Sequence, residues 1–230
     1  SNSELDTAAV NGVAVGTTAE VQALVDAYNA KLTAADGTAD GDAGATQAQY
    51  GLLGVTGLDT PATSLLNSVV DKSPTTAVDT VPELQALADA AKAVSTGAAG
   101  GSAPTQAQLA ALGITGVTAD NLAAIQQAIA GTADDGSAVD TLAELQAVVT
   151  AAANAQAAAL AKISAAAEAD SATASSPALT DYTAAGVTGV TAANLGAINS
   201  ALDTAAVNGV AVDTTAEVQA LVDAYNAKLT

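Results

Sequence analysis

Residues 3–33 and 200–230 are the same text with two changes, Glu4 against Ala201 and Gly16 against Asp213. A chain that repeats itself this closely is assembled from units, each too small to cover its own apolar face and each relying on its neighbours. Weaker copies lie between the two ends. The run L-G-I-T-G-V-T-A-D-N-L from Leu112 returns as A-G-V-T-G-V-T-A-A-N-L from Ala185. The same spacing carries Val139-Asp140-Thr141 onto Val212-Asp213-Thr214. An earlier copy starts at Leu52, with Gly54 and Gly57 where the later one has Gly113 and Gly116. Its last segment, V-D-T-V-P-E-L-Q-A, starts at Val78.

Every unit carries three segments, and each has its own start signal. The first is short: Thr46–Leu53, Thr105–Leu112, and about Leu179–Ala185. Thr46 with Gln49 and Thr105 with Gln108 have the spacing of a capping box, in which each side chain satisfies a backbone N–H of the other residue. Gly54, Gly113 and Gly186 stand where a left-handed C-terminal cap belongs. The second segment follows G-V-T, which makes Thr118 and Thr191 its N-caps, with Thr60 before Pro61 in the earliest copy. The third opens with T-x-x-E in all four copies: Thr17 with Glu20, Thr80 with Glu83, Thr141 with Glu144, Thr214 with Glu217. Apolar residues then recur at steps of three and four, as in Val218, Leu221, Val222, Tyr225 and Leu229, or Leu122, Ile125 and Ile129, which is the stripe of an amphipathic helix. Alternation of the strand type is confined to fragments such as Val210-Ala211-Val212.

The spacing therefore predicts an all-α chain, a tandem array of small three-helix bundles. Residues 1–33 are the C-terminal part of a preceding module. Residues 46–97, 105–168 and 179–230 are three-helix modules, and 34–45, 98–104 and 169–178 are linkers rich in Gly, Ala, Ser and Asp. One connection stands apart. From Thr141 to about Glu168 there is neither Gly nor Pro, and alanine, the strongest helix former, dominates. Leu145, Val149, Ala152, Leu160 and Ile163 continue one stripe, broken at Gln156, so this third helix is expected to run on as a stiff connector. In the leading fragment Leu24, Val25, Tyr28 and Leu32 share a face that no earlier segment covers, and that helix is expected to pack on the following module or on a second copy of the chain. Ser1-Asn2 reads as a protease scar from an expression tag, and the near-identical ends read as a piece cut from a longer array.

Composition narrows the chemistry. The chain has 230 residues, 24 acidic against 5 basic, a net charge of −19, and no His, Cys, Met, Trp or Phe. All five basic residues are lysine. There is no imidazole to act as a base near neutral pH, no thiolate, and no arginine fork for a phosphate. Such acidity disfavours nucleic acid and anionic membrane surfaces as partners. No apolar run reaches the roughly 18 residues of a membrane span, and no signal peptide is visible. The absence of cysteine suits a secreted or surface protein built without disulfides.

The segment G-[IV]-T-G-V-T-A-x-N-L at Gly113 and Gly186, with V-D-T-x-A-E-[LV]-Q-A at Val139 and Val212, resembles the repeats of very large bacterial surface adhesins of the biofilm-associated and RTX-adhesin-like kind. As three short helices with a Gly-ended first helix, the units also resemble GA-like modules, whose better-known members bind albumin on bacterial cell walls. The resemblance covers nearly the whole chain and implies a three-helix fold, a secreted, cell-surface location and a role in cell adhesion or biofilm. It implies no catalytic, cofactor or metal residues.

Three groups of residues are candidates for something more specific. Asp36, Asp40 and Asp42 in D-G-T-A-D-G-D, and Asp134, Asp135 and Asp140, could offer oxygens to calcium, but neither spacing matches a twelve-residue calcium loop, and both are read as solvated acidic linkers with no metal. The alanine-rich run from Thr150 lacks the second threonine of an ice-binding face, Ala161 standing at the eleven-residue position. Tyr50 and Tyr182 align with Leu109, and Tyr28 with Tyr225; a position that accepts Leu or Tyr is read as core with a hydroxyl at the rim. With no cofactor and no concave aromatic site indicated, no enzyme is expected. The sequence is read as a spacer or stalk segment of a surface adhesin whose partners are its neighbouring repeats. The alternative is a GA-like module that docks a host or matrix protein on a helical face.

Overall fold

The computed structural model describes residues 16–168, 176–204 and 206–228. Among the described residues there are ten α-helices and no strand. They are α1 (Thr18–Ala34), α2 (Gln47–Leu52), α3 (Thr60–Lys72), α4 (Val81–Ala98), α5 (Gln106–Ala111), α6 (Leu122–Ala130), α7 (Leu142–Glu168), α8 (Leu179–Ala184), α9 (Leu195–Leu202) and α10 (Thr215–Asn226). The V-A-V fragment at Val210 lies in a short 3₁₀ turn, Gly209–Val212, rather than a strand.

Six of the ten helix starts are those written in the sequence. The Thr and Glu of each T-x-x-E pair bond reciprocally or hydroxyl to carboxylate at the head of α1, α4, α7 and α10. Thr80 illustrates it: its backbone N–H donates to Glu83 at 3.0 Å, and the Glu83 N–H donates back to the Thr80 hydroxyl at 3.4 Å. These hydrogen bonds, led by the one from the Thr80 hydroxyl, hold the Glu83 carboxyl below its ordinary range. Thr46 and Thr105 box α2 and α5 in the same way with Gln49 and Gln108. Gly54, Gly113 and Gly186 follow these short first helices at φ of 91°, 79° and 77°. That left-handed conformation lets the next residue's N–H reach back to the helix, as Val55, Ile114 and Val187 do. Replacing Thr80 with Ala is expected to cost about 1 kcal/mol in a thermal or urea melt.

Three starts, those of α3, α6 and α9, differ from expectation, and that of α8 had no expected cap. α3 is capped by Asp59, not Thr60: the Asp59 carboxylate accepts from the Ala62 N–H at 2.9 Å, which leaves Thr60 and Pro61 inside the first turn. Asp wins because its carboxylate also accepts from Lys92 Nζ at 2.6 Å and Ser95 Oγ at 3.2 Å on α4, contacts invisible in the local sequence. Thr118 and Thr191 cap a turn rather than the regular helix; each pairs reciprocally with Asn121 or Asn194, and α6 and α9 begin at the next residue, Leu122 and Leu195. α8 has Ala178 at its cap, where the Asp181 carboxylate takes over by accepting the Ala178 N–H at 2.6 Å.

Partial burial of Asp59 works to raise its carboxyl, but the hydrogen bonds from Lys92 and the Ala62 N–H outweigh it and hold the group below its ordinary range. A folded-state value that is lowered adds stability above the ordinary carboxylate range, and that contribution is lost as pH falls through the folded value. Asp59→Ala is therefore expected to cost about 0.5–2 kcal/mol near neutral pH, with the difference from the parent closing in acid melts.

The described residues gather into two compact units, one within 16–115 and 129–147, the other within 116–128, 148–168, 176–204 and 206–228. The sequence segment 105–168 contributes to both. In the first unit α1 packs on α2 and α3, α3 on α4, and α4 on α5. Leu24, Ala27 and Leu53 form a small buried cluster there, with Tyr28 against it. Lys31 is buried too: its ammonium donates to the Val78 carbonyl at 3.0 Å and stands 4.6 Å from the centre of the Tyr28 ring. A buried cation needs such partners to offset its lost hydration. In the second unit one core joins Leu160 and Ile163 of α7 to Tyr182, Ile198, Leu202, Val212, Val218 and Val222. The long alanine-rich run is a single 27-residue helix, α7. Its stripe is not interrupted electrically at Gln156, which is buried with its amide donating to Asp120 at 2.9 Å and to the Thr215 hydroxyl at 3.0 Å.

The leading helix departs from its duplicate. Residues 17–33 and 214–230 are identical in sequence. In α10 the buried positions are Val218 and Val222; in α1 their counterparts Val21 and Val25 are exposed, at 41% and 43%. α1 instead buries Leu24, Ala27, Lys31 and Ala34. The helix does pack on the elements that follow it, as expected, with Leu24 buried and Tyr28 and Leu32 half-buried, but Val25 is not part of that contact. Leu229 lies outside the described residues.

Candidate functional site

The acidic loop after α1 is the place where side chains that could carry chemistry converge. Asp36, Asp40 and Asp42 are all exposed, and one carboxylate oxygen from each lies within 4.8 Å of the others. Behind them Asp71, near the end of α3, is buried and accepts the N–H groups of Gly41 and Asp42, each at 3.2 Å. Asp36 accepts from the Thr38 N–H at 2.7 Å, closing a turn of its own. The Asp40 charge, with partial desolvation and then Asp36 and Asp71, pushes the Asp42 carboxyl above its ordinary range. Repulsion among like charges is what the loop carries. Calcium takes six to eight oxygens, and Asp71 is already occupied with backbone N–H groups.

Two expectations follow from that crowding. Asp42→Asn removes one of the mutually repelling carboxylates and is expected to raise the melting temperature at low ionic strength, the gain shrinking in salt of about 1 M, where the screening length is ~3 Å. Millimolar calcium is expected to shift melting no more than general screening does. A saturable calorimetric isotherm, lost in Asp40→Ala or Asp42→Ala, would instead make the loop a calcium site.

Asp134, Asp135 and Asp140 form no such grouping among the described residues. Asp135 is held by Ser137, whose N–H and hydroxyl donate to it at 3.0 and 2.7 Å and keep its carboxyl below the ordinary range. Partial burial and the neighbouring Glu144 push Asp140 the other way. Thr150 and Ala161 are both exposed on α7, with no second threonine to extend a flat face.

The tyrosines of the first helices are core. Tyr50 and Tyr182 are fully buried, and the hydroxyl of each donates to an asparagine, Asn67 Oδ1 at 2.8 Å and Asn199 Oδ1 at 2.7 Å. Burial pushes both hydroxyls above the ordinary phenol range. The side-chain amide of each asparagine donates in turn to a backbone carbonyl, that of Ala45 and of Pro177 respectively. The asparagines were not among the sequence candidates, although the signal was there. Where the middle copy has Leu109 in place of tyrosine, Gln126 stands in place of asparagine, the same distance along the chain.

A second polar device also escaped the sequence. Gln85 receives the Thr56 N–H on Oε1 at 2.9 Å and donates Nε2 to the Thr56 carbonyl at 3.1 Å. Gln146 with Thr115 and Gln219 with Thr188 make the same two-point clamp between a third helix and the G-[IV]-T turn. Gln85 and Gln219 also donate to the aspartate four residues on, Asp89 and Asp223, and the equivalent Gln22 on α1 makes that bond to Asp26. The spacing of T-x-x-E-x-Q alone does not say what Q is for, since its partner lies about thirty residues away in the fold.

The open grooves among the described residues have no aromatic lining; one is lined by Ala39, Ser68, Ile114, Leu142 and Gln146. That beside Gly186 is walled by Ala119, Asp120, Ala123, Thr215 and Gln219. Among the described residues no helix is long and apolar enough to cross a membrane. Comparison with protein-family models, with curated proteins and with solved structures finds no match.

Proposed function

We propose that this chain is a non-enzymatic structural segment, a spacer or stalk in a large secreted bacterial cell-surface adhesin, built as a tandem array of three-helix modules that projects a binding domain carried elsewhere. The observation that supports this best is the recurrence of one contact. The last helix of a repeat packs on the first helix of the next, α1 on α2 and again α4 on α5. Repeats that dock on their neighbours share stability along a line, as serial spacers need. The charge of −19 adds self-repulsion and solubility to a long surface polymer. The surface agrees with a spacer: the exposed large apolar side chains are aliphatic (Val21, Val25, Leu52, Leu179 and Val210), with no Trp, Phe or Arg in the chain to anchor a protein partner.

The test places the chain between a cell-wall anchor and a reporter adhesin domain. Adhesion is expected to be lost when the segment is deleted and kept when an unrelated helical array of equal length replaces it, because a spacer acts through its length. Adhesion lost on that replacement, together with saturable binding of a purified serum or matrix protein to the chain, would establish the GA-like binding reading in its place.

A further inference from the structure

The third helices carry two faces, and the four copies separate them. Count from the capping threonine. At the fourth residue stand Val21, Leu84, Leu145 and Val218, and at the eighth Val25, Ala88, Val149 and Val222. Both positions are buried to 2% exposure or less in α4, α7 and α10, each of which follows a first and a second helix of its own repeat. They are open only in α1. The other face runs through the tenth and fourteenth residues. Ala27 and Lys31 are buried, as are Ala90 and Val94, in the two copies followed closely by the next repeat. Their equivalents Ala224 and Lys228 at the end of the chain are exposed. One face serves the helix's own bundle, and the other receives the next.

We infer that the exposed face of α1, Val21, Gln22 and Val25, is a docking surface for a helix pair of the kind formed by residues 179–202, supplied by an adjoining repeat. Two independent features identify the occupant. The first is apolar: residues 17–33 and 214–230 are identical, and in the second of these Val218 and Val222 are covered by Tyr182, Ile198 and Leu202 of α8 and α9. The second is polar: Gln219 donates to Asp223 on its own helix and also clamps the backbone of Thr188 in the turn between those helices, while its duplicate Gln22 makes the matching bond to Asp26 but, among the described residues, no such clamp. A face that matches the covered one residue for residue, down to the glutamine, is cut for the same partner. This goes beyond the spacer role, and it makes the third helix a strut shared by consecutive bundles, so that each repeat completes its neighbour.

The experiment grafts residues 176–202 ahead of Asp6, where Leu202-Asp203 and Leu5-Asp6 supply a natural join. Because the chain has no cysteine, Val25→Cys gives a single thiol whose maleimide labelling reports exposure at that position. Labelling is expected to be fast in the parent chain and slower by roughly tenfold or more in the grafted one. Val222→Cys in the same grafted chain is expected to stay slow, which shows that the rest is folded. In parallel, Gln22→Ala is expected to leave the melting curve of the parent unchanged and to lower that of the grafted chain. Equal labelling of position 25 in both chains overturns the inference, whether the grafted pair has failed to fold or has folded without docking. So does a Gln22→Ala effect of the same size in both. Neither result bears on the spacer role, which is read by adhesion rather than by labelling.

Discussion

Val222→Asp is expected to unfold the core that α10 shares with α8 and α9, and Val25→Asp, the same substitution in the same seventeen-residue sequence, to be close to neutral. Val222 is fully buried in a core with Tyr182, Ile198 and Val218. The side chains of that core are apolar, and placing an unpaired charge in an apolar core is among the few changes that cost about 4 kcal/mol or more. A small bundle has little more than that to lose. Val25 is 43% exposed, and surface changes of this type stay within about 0.5 kcal/mol. The opposite face should give the mirror result. Ala27→Leu overpacks the contact with Leu53 and is expected to cost about 1–3 kcal/mol, while Ala224→Leu, at an exposed site, should cost almost nothing. Chemical denaturation followed by circular dichroism measures all four. Equal effects at duplicate positions would mean that the two helices bury the same face.

The second large effect concerns the tyrosine–asparagine pair. Tyr182→Ala removes a fully buried ring and its hydroxyl and is expected to cost about 3–5 kcal/mol. The more informative change is Tyr182→Leu, which imitates Leu109 of the middle copy. Alone it leaves Asn199 without the hydroxyl that donates to its Oδ1, a half-buried acceptor left unpaired at about 1 kcal/mol. Tyr182→Leu with Asn199→Gln restores the combination that the chain itself uses at Leu109 and Gln126, and the double variant is expected to be more stable than the sum of its parts. Additivity of the two single losses would show that the pair acts as two separate residues.

Much of the local architecture was legible in the residues. The four T-x-x-E pairs, the T-x-x-Q boxes at Thr46 and Thr105, and the glycines at 54, 113 and 186 are where helices begin and end, because capping is settled within three or four residues of chain. One exception has a distant cause. Asp59 displaced Thr60 as the cap of α3 because Lys92 and Ser95, more than thirty residues further on, stabilise its carboxylate. Asn67, Asn199 and the Gln85 clamp were missed for the same reason: a polar side chain declares its partner only when the fold brings the two together. The acidic loop at Asp36, Asp40 and Asp42 was visible as a cluster, and its closure onto Asp71 was not.

The sequence by itself determined that this chain is helical, where its helices start, that it is made of repeats, and that it has no histidine, thiol or arginine chemistry to offer. Those are properties of nearest neighbours and of composition. Which face of a helix is inside was decided only by the tertiary structure, and residues 17–33 and 214–230 prove the point, since identical residues bury Leu24, Ala27 and Lys31 in one place and Val218 and Val222 in the other. Both faces of that helix carry apolar side chains, so its own periodicity leaves the choice open. Burial goes to whichever face meets a neighbour, because the free energy lies in the apolar area removed from water and not in the helix that presents it.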